Sequence, residues 1–350
     1  MALSPINVPD NIFVGGIWAL RRSDSLSDRG ITHVLSLVGF NPANLKNFKN
    51  EPWTEYGQEY QHLLIDIDDV DDSDMLIELP KVVQFINKGL DSSSTNANGK
   101  PPGVFIHCAA GKSRSITATI AFLLWKYPNK FDPSAGDSVK RPRRETAEVA
   151  VQAVLELIRE TRPMAEPNDG FMKQLNLWWE MGCPDDVESH PAYQRWAYRR
   201  EVDESLAVGQ APSRLRFEDE ENKAVQDAAG SSLRCKKCRR ILANGAFITS
   251  HKSQGSHATP CQHIFIEPLS WMRSELEKGE LNGRLSCPNA RCGAAVGRYD
   301  WKGFKCSCGG WLTPAFSLQK ARIDEDAGTP ATGRSLGIRM PPGAARGGNL

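Results

Sequence analysis

From residue 103 to residue 127 the sequence lays out one structural step in full. A short apolar strand, Gly103 to His107, leads through a loop of small and polar residues into a strongly apolar helix, Arg114 to Tyr127. A buried strand feeding a buried helix is the unit from which α/β layers are built. The flanking segments continue the alternation. Asn11 to Ile17, Ile31 to Val38 and Leu63 to Ile67 are rich in β-forming residues. Met75, Leu79, Val82, Val83 and Ile86 recur at helical spacing, ahead of a Ser/Asn/Gly/Pro stretch from Asp91 to Gly103. Helical pattern resumes from Glu145 to Glu160 and from Gly170 to Met181. Before it lies a polar insert, about 128–145, with the basic cluster Lys140-Arg141-Pro142-Arg143-Arg144. Residues 8–183 are therefore expected to form an α/β domain, a central sheet flanked by helices.

The rest of the chain has a different character. Seven of the nine cysteines fall between Cys235 and Cys308, leaving only Cys108 and Cys183 before them. Residues 231–322 hold 15 Lys and Arg against 5 Asp and Glu, whereas residues 1–230 hold 25 against 34. The net charge of +1 thus hides an acidic front and a basic back, which suggests two modules with different tasks. From Leu233 onward, short apolar runs separated by Gly, Pro and paired cysteines predict a small β-rich domain over 233–323. Residues 184–232 read as a helical extension and linker, and 324–350, poor in anything to bury, as a disordered tail. The longest strongly apolar run, Ile116 to Trp125, is well short of the roughly 20 residues that span a bilayer. Pro5, Pro9 and Asp10 interrupt the N-terminal stretch, so a secretory signal is not expected. An odd number of cysteines in that setting points to a reducing compartment, where thiols serve metal or catalysis rather than disulfides.

The loop His107-Cys108-Ala109-Ala110-Gly111-Lys112-Ser113-Arg114-Ser115 carries the chemistry. A cysteine attacks as thiolate, and an ordinary thiol is mostly protonated at neutral pH. A helix N-terminus and a ring of loop N–H groups stabilise the anion, and the same N–H groups fit the oxygens of a phosphate. Gly111, Ala109 and Ala110 let the backbone wrap closely around such a group. Arg114 returns to the cradle from the first helical turn, and its planar fork matches two phosphate oxygens. Ser115 can donate to the sulfur and help it leave.

The pattern H-C-x5-R-S resembles the signature loop of the cysteine-dependent protein phosphatases. Phe13-Val14-Gly15-Gly16, Gly30-Ile31-Thr32-His33-Val34-Leu35 and the run Arg162-Pro163-x3-Pro167-Asn168-x-Gly170-Phe171 resemble the dual-specificity branch of that family. The resemblance implies that Cys108 is the nucleophile and that His107, Ala109, Ala110, Gly111, Lys112 and Ser113 line the phosphate site with Arg114. A general acid on an upstream loop is also needed. In the branch it lies five residues before an Asn or Asp that a hydrophobic residue follows. Asp74-Met75 supplies that end, which selects Asp69, with Asp68 the rival. A crowd of like charges, six aspartates between Asp66 and Asp74, is expected to favour the protonated acid. Phosphocysteine formation on Cys108, with Asp69 as acid and then as base toward water, is the implied mechanism. Lys112 is expected to face solvent more than the pocket.

The C-terminal cysteines are Cys235-x2-Cys238, Cys261, Cys287-x4-Cys292 and Cys306-x-Cys308. Seven thiolates are one ligand short of two tetrahedral sites, and His251, His257 and His263 are the candidates for the eighth. Spacing leaves open whether the ligands pair in order or in a cross-brace. The strings Phe265-Ile266-Glu267-Pro268-Leu269-x-Trp271-Met272 and Trp311-x-Thr313-Pro314-Ala315-Phe316 resemble the zinc-binding tail of one eukaryotic group. That group is named dual specificity phosphatase twelve in vertebrates and includes a fungal ribosome-assembly phosphatase. It places a histidine before the lone cysteine, which favours His251 over His263. The resemblance implies two structural zinc ions. It also implies phosphoprotein substrates and pre-60S ribosomal particles as partners, with the protein in nucleus and cytoplasm; a monomer with no membrane role is expected. A basic back module suits phosphate-rich partners, with Arg239, Arg240, Arg273, Arg298 and Lys302 as contacts. Trp271, Trp301 and Trp311 could stack bases or fill a core. A mainly non-catalytic assembly factor and a phosphoinositide or RNA phosphatase are the alternative readings.

Overall fold

The computed structural model describes residues 3–91, 100–136, 141–221, 231–251 and 261–326. Most of the 91–103 loop, Lys140 of the basic cluster, His257 and nearly all of the expected disordered tail lie outside those residues. Contacts divide the chain into two units, residues 1–197 and 198–350.

The first unit is built on five strands: β1 (Ser4–Pro5), β2 (Ile12–Gly16), β3 (Ile31–Ser36), β4 (Gln61–Leu64) and β5 (Gly103–Cys108). Their order is β1-β2-β5-β3-β4, with β1 antiparallel to β2 and the other neighbours parallel. β5 is central and buried at every position, which explains its unbroken apolar sequence. Side chains alternate between the two faces. Val104, Ile106 and Cys108 join Ile12, Val14 and Leu35 in one core, with the helices Leu79–Asp91, Arg114–Lys126, Arg143–Arg159 and Asp169–Glu180. Phe105 joins Phe13 and Val34 on the other face, against Leu20, Leu26, Trp53, Tyr56 and Tyr60. The Arg114–Lys126 helix is buried from Arg114 to Leu124, so it has no polar face to show in sequence. Register pairs Cys108 with Gly16 and His107 with Ser36. Cys108 thus stands at the carboxyl end of the central parallel strand, where ligand crevices form in α/β sheets.

The polar insert is only partly a loop. Pro128–Phe131 forms one helical turn, with proline at its first position and Phe131 and Ser134 buried. The next helix starts within the basic cluster, at Arg143. The stretch read as extension and linker also carries core residues. Ala192, Tyr193 and Trp196, in the helix Pro191–Ala207, pack on the first unit's core. Val202 and Phe217 are buried in that of the second.

The second unit is β-rich. One sheet runs β10 (Asn282–Ser286), β11 (Ala295–Asp300), β14 (Ala315–Gln319), β9 (His263–Ile266), β8 (Ile248–Thr249). A second runs β15 (Ile323–Asp326), β6 (Ser232–Cys235), β7 (Ile241–Asn244), and β12 (Phe304–Lys305) pairs with β13 (Trp311–Leu312). Among the described residues every pairing in this unit is antiparallel. Leu285, Val296, Tyr299, Trp301, Phe316 and Leu318 fill its core. Trp301 is buried and the Trp271 indole N–H donates to the Leu242 carbonyl at 2.7 Å, whereas Trp311 is exposed. Among the described residues no helix is long and apolar enough to cross a membrane.

Candidate active site

Strand β5 delivers Cys108 into a loop whose small residues bring backbone, rather than side chains, to the sulfur. The Gly111 N–H donates to Cys108 Sγ at 3.2 Å, and the Ser115 hydroxyl lies 3.4 Å from it. Burial pushes the Cys108 thiol up. Hydrogen bonds from the Ser115 hydroxyl and from the backbone N–H groups of Ser115, Lys112 and Gly111 more than offset this, so the net shift is downward. Gly111 has φ of +72°, and a Cβ there would meet the Gly15 carbonyl carbon at 2.3 Å. A side chain at this position would push the end of β2 off the loop. The loop is also held from behind. The Ile17 N–H donates to the Ala109 carbonyl at 3.2 Å. Arg162, 4% exposed, donates to the carbonyls of Ala110 and Gly111 and to the Ser4 hydroxyl. With its carbonyls turned outward and tied to Arg162, the loop keeps its N–H groups for an anion.

Asp69 lies over the same loop. Its Oδ1 accepts from the Ser113 hydroxyl at 2.6 Å and from Asn168 Nδ2 at 3.1 Å, and its Oδ2 is 3.4 Å from Arg114 Nε. What faces Asp69 is therefore a guanidinium and two neutral donors, not the crowd of carboxylates expected from sequence. Asp68 is exposed and outside this set of contacts. Arg114 also donates from Nη1 to the Ile67 carbonyl at 2.8 Å. It thus bridges the acid's loop and the phosphate loop. Lys112 points away, with Nζ 2.5 Å from Glu166 Oε2 in an exposed ion pair. His107 is fully buried, and desolvation pulls its pKa down to about 3, so its ring is neutral. Cys183 is buried with φ of +56°, and burial pushes its thiol to about 12, which leaves it inert.

Sequence reasoning gave no role to Arg162, Asn168 or Ser36. The first two stand in the run from Arg162 to Phe171, but nothing in their spacing says that one braces the loop's carbonyls and the other holds the acid. Asn168 also caps the Asp169–Glu180 helix by accepting from the Phe171 N–H at 2.7 Å.

The second unit gathers its ligand residues into two sets. Cys235, Cys238, Cys287 and Cys292 form one, and His251, Cys261, Cys306 and Cys308 the other, with all ligand atoms of a set within 4.8 Å of one another. His263 belongs to neither; its ring packs against Phe265 and Phe304. The two sets alternate along the chain, the cross-brace order that spacing left open. Cys235 and Cys292 sulfurs are 3.8 Å apart and those of Cys238 and Cys287 3.5 Å. A tetrahedron with metal–sulfur bonds of about 2.3 Å has edges of about 3.8 Å, so the residues fit such an ion. The wide x4 spacing of Cys287 and Cys292 is taken up by a turn closed by Gly293, φ +53°. Without a cation the thiols of one set cannot all ionise. Cys238 is drawn down, chiefly by the Arg240 backbone N–H, while Cys287 is pushed up, chiefly by burial.

The sequence model described as "Dual specificity phosphatase, catalytic domain" matches residues 12–181. The tyrosine-protein phosphatase yvh1 of Schizosaccharomyces pombe is 33% identical over 91% of this chain and 83% of its own length. Dual specificity protein phosphatase 12 of Homo sapiens is 30% identical over 95% of this chain and 92% of its own. The crystal structure of the Yvh1 phosphatase domain from Chaetomium thermophilum shows 45% sequence identity and a TM-score of 0.43. It covers 53% of this chain and 99% of that one.

Proposed function

The chain belongs to the dual-specificity protein phosphatases of the Yvh1 and dual specificity protein phosphatase 12 family, and from that premise we propose two linked roles. It hydrolyses phosphotyrosine and phosphoserine or phosphothreonine in proteins through a phosphocysteine on Cys108. Through its metal-binding unit it also takes part in assembly of the large ribosomal subunit.

In the first step the Cys108 thiolate bonds to phosphorus as the phosphorus–oxygen bond to the substrate breaks, and Asp69 gives its proton to the leaving oxygen. The loop N–H groups and the Arg114 fork hold the three phosphoryl oxygens. In the second step Asp69 takes a proton from water, which attacks phosphorus. The Ser115 hydroxyl donates to the sulfur as it leaves as thiolate. The observation that carries this reading is the convergence of the Gly111 N–H, the Ser115 hydroxyl and the Arg114–Asp69 pair around one depressed thiol. Lys112, the other basic residue of the loop, is tied to Glu166, which favours a phosphoprotein over a phosphoinositide.

Replacing Asp69 by asparagine is expected to lower kcat by about 10²–10³ on phosphopeptides, with KM little changed. Full activity in the Asp69→Asn variant, with loss in Asp68→Asn, would transfer the role to Asp68.

We assign zinc to both ligand sets, on their sulfur and imidazole donors and tetrahedral spacing. The assembly role is supported by the basic charge of residues 231–322 and by the tail's resemblance to the ribosome-assembly phosphatases. In that role the protein acts as a monomer on pre-60S particles in nucleus and cytoplasm. Gradient sedimentation of cell lysates tests it. Full-length protein and Cys108→Ser are expected with large-subunit precursors, and a Cys238→Ser/Cys308→Ser chain is not. If none travels with such particles, the assembly role fails and the phosphatase role stands alone.

A further inference from the structure

Ser36, on β3, places its hydroxyl oxygen between two rings. It is 2.6 Å from Nε2 of His107 and 2.8 Å from Nε2 of His62. A hydroxyl has one proton, so it donates to one ring and accepts from the other. The far side of His107 decides which. Its Nδ1 lies 3.5 Å from the Cys108 carbonyl oxygen, and a carbonyl only accepts. Nδ1 therefore carries the proton, and Nε2 is bare and accepts from Ser36. The opposite tautomer would set two lone pairs against each other in a fully buried site. His62 must then donate to Ser36. Every donor points the same way, from His62 through Ser36 and His107 to the Cys108 carbonyl, and bonds aligned in this manner polarise one another.

The surroundings keep the chain free of competing charge. His107 stacks on Phe105 with ring centres 5.3 Å apart and also meets Phe40, while His62 packs edge-on to Trp53 at 5.3 Å and against Phe40. Among the described residues no carboxylate or cation contacts either ring. Burial lowers both histidines from their ordinary value, which keeps the rings neutral.

We propose that Ser36 and His62 are positioning residues for the nucleophile, acting through His107 to hold the Cys108 peptide in the orientation that keeps its carbonyl away from the sulfur. The peptide is planar and trans, so fixing that carbonyl also fixes the Ala109 N–H in the opposite direction. The loop then presents donors to the sulfur. His62 has no counterpart in the signature loop; it lies on β4, 46 residues before Cys108.

The proposal rests on Cys108 being the nucleophile, and its test separates the two. The full-length, metal-loaded protein is treated with iodoacetate across a pH series, and carboxymethylation of the Cys108 peptide is followed by mass spectrometry. The midpoint of that pH dependence is expected to rise by about 0.5–1 unit in Ser36→Ala and in His62→Phe. His62→Gln places an amide N–H where Nε2–H stood and is expected to keep the midpoint of the natural chain. Melting temperatures identify any variant that is merely unfolded, and the comparison of His62→Gln with His62→Phe still decides. Unmoved midpoints in Ser36→Ala and His62→Phe overturn the proposal. So does a His62→Gln shift as large as that of His62→Phe, since the ring's packing would then be the cause. If Cys108 of the natural chain is not alkylated at all, the nucleophile assignment itself falls.

Discussion

Replacing Cys108 by serine is expected to slow phosphopeptide turnover by at least about 10⁴-fold while leaving substrate binding in place. A serine hydroxyl stays protonated in the environment that ionises the thiol, so the attacking anion is lost outright. The groups that hold phosphate are untouched, because the Gly111, Lys112 and Ser115 N–H groups and the Arg114 fork belong to backbone and helix. The variant should therefore retain phosphorylated proteins that the natural chain releases, and isothermal titration with a phosphotyrosyl peptide would show it. Stability gives a second signature. The Cys108 pKa is lowered by folding, so the thiolate contributes stability that is fully present above the ordinary thiol range and is lost as pH falls through the depressed value. The Cys108→Ser chain lacks that slope, and melting curves at several pH values would reveal it. Residual turnover within about tenfold of the natural chain would remove Cys108 from the mechanism.

Removing metal is expected to unfold the second unit and spare the first. Binding free energies of structural zinc sites run to roughly 10 kcal/mol or more, comparable with the whole stability of a small domain. Here each ion would hold together segments far apart in sequence: Cys235 with Cys292, and His251 with Cys308. Because the two sets alternate, breaking one frees a ligand-bearing segment that the other also needs. A Cys238→Ser chain should thus lose both ions rather than one, as counted by plasma mass spectrometry, and its second-unit melting transition should vanish. Activity on a small aryl phosphate should stay within about twofold, since the sheet, the loop and their cores lie in residues 1–197. One ion retained per chain, with the transition intact, would show the sites to be independent.

These expectations differ in how far sequence could have carried them. The nucleophile loop is legible because every part of it is local: strand, cysteine, glycine, arginine and helix follow within a dozen residues. Asp69 is legible through a spacing to Asp74-Met75, but its company is not. Ser113 and Asn168 lie 44 and 99 residues away and meet it only through the sheet. Arg162 reads as one charge in a polar run, yet it is buried behind the loop, 51 residues from Gly111. Ligand identity in the second unit follows from residue type, whereas ligand pairing depends on strand order, which no spacing encodes. The stretch 184–232 reads as helical extension and linker because Glu201 to Ser232 is charged and poor in aromatics; the core contacts of Ala192, Trp196 and Val202 rest on single residues and leave no periodic apolar stripe to read.

The alternating ligand order also sets a timetable for synthesis. Every residue of the phosphatase loop and its acid is in the chain once Asn168 has been added. The first ligand set stays open until Cys292 is made and the second until Cys308, although their earliest members are Cys235 and His251. A growing chain can therefore acquire its catalytic apparatus long before it can hold any metal. Termination anywhere between Gly293 and Ser307 leaves the first set whole and the second broken.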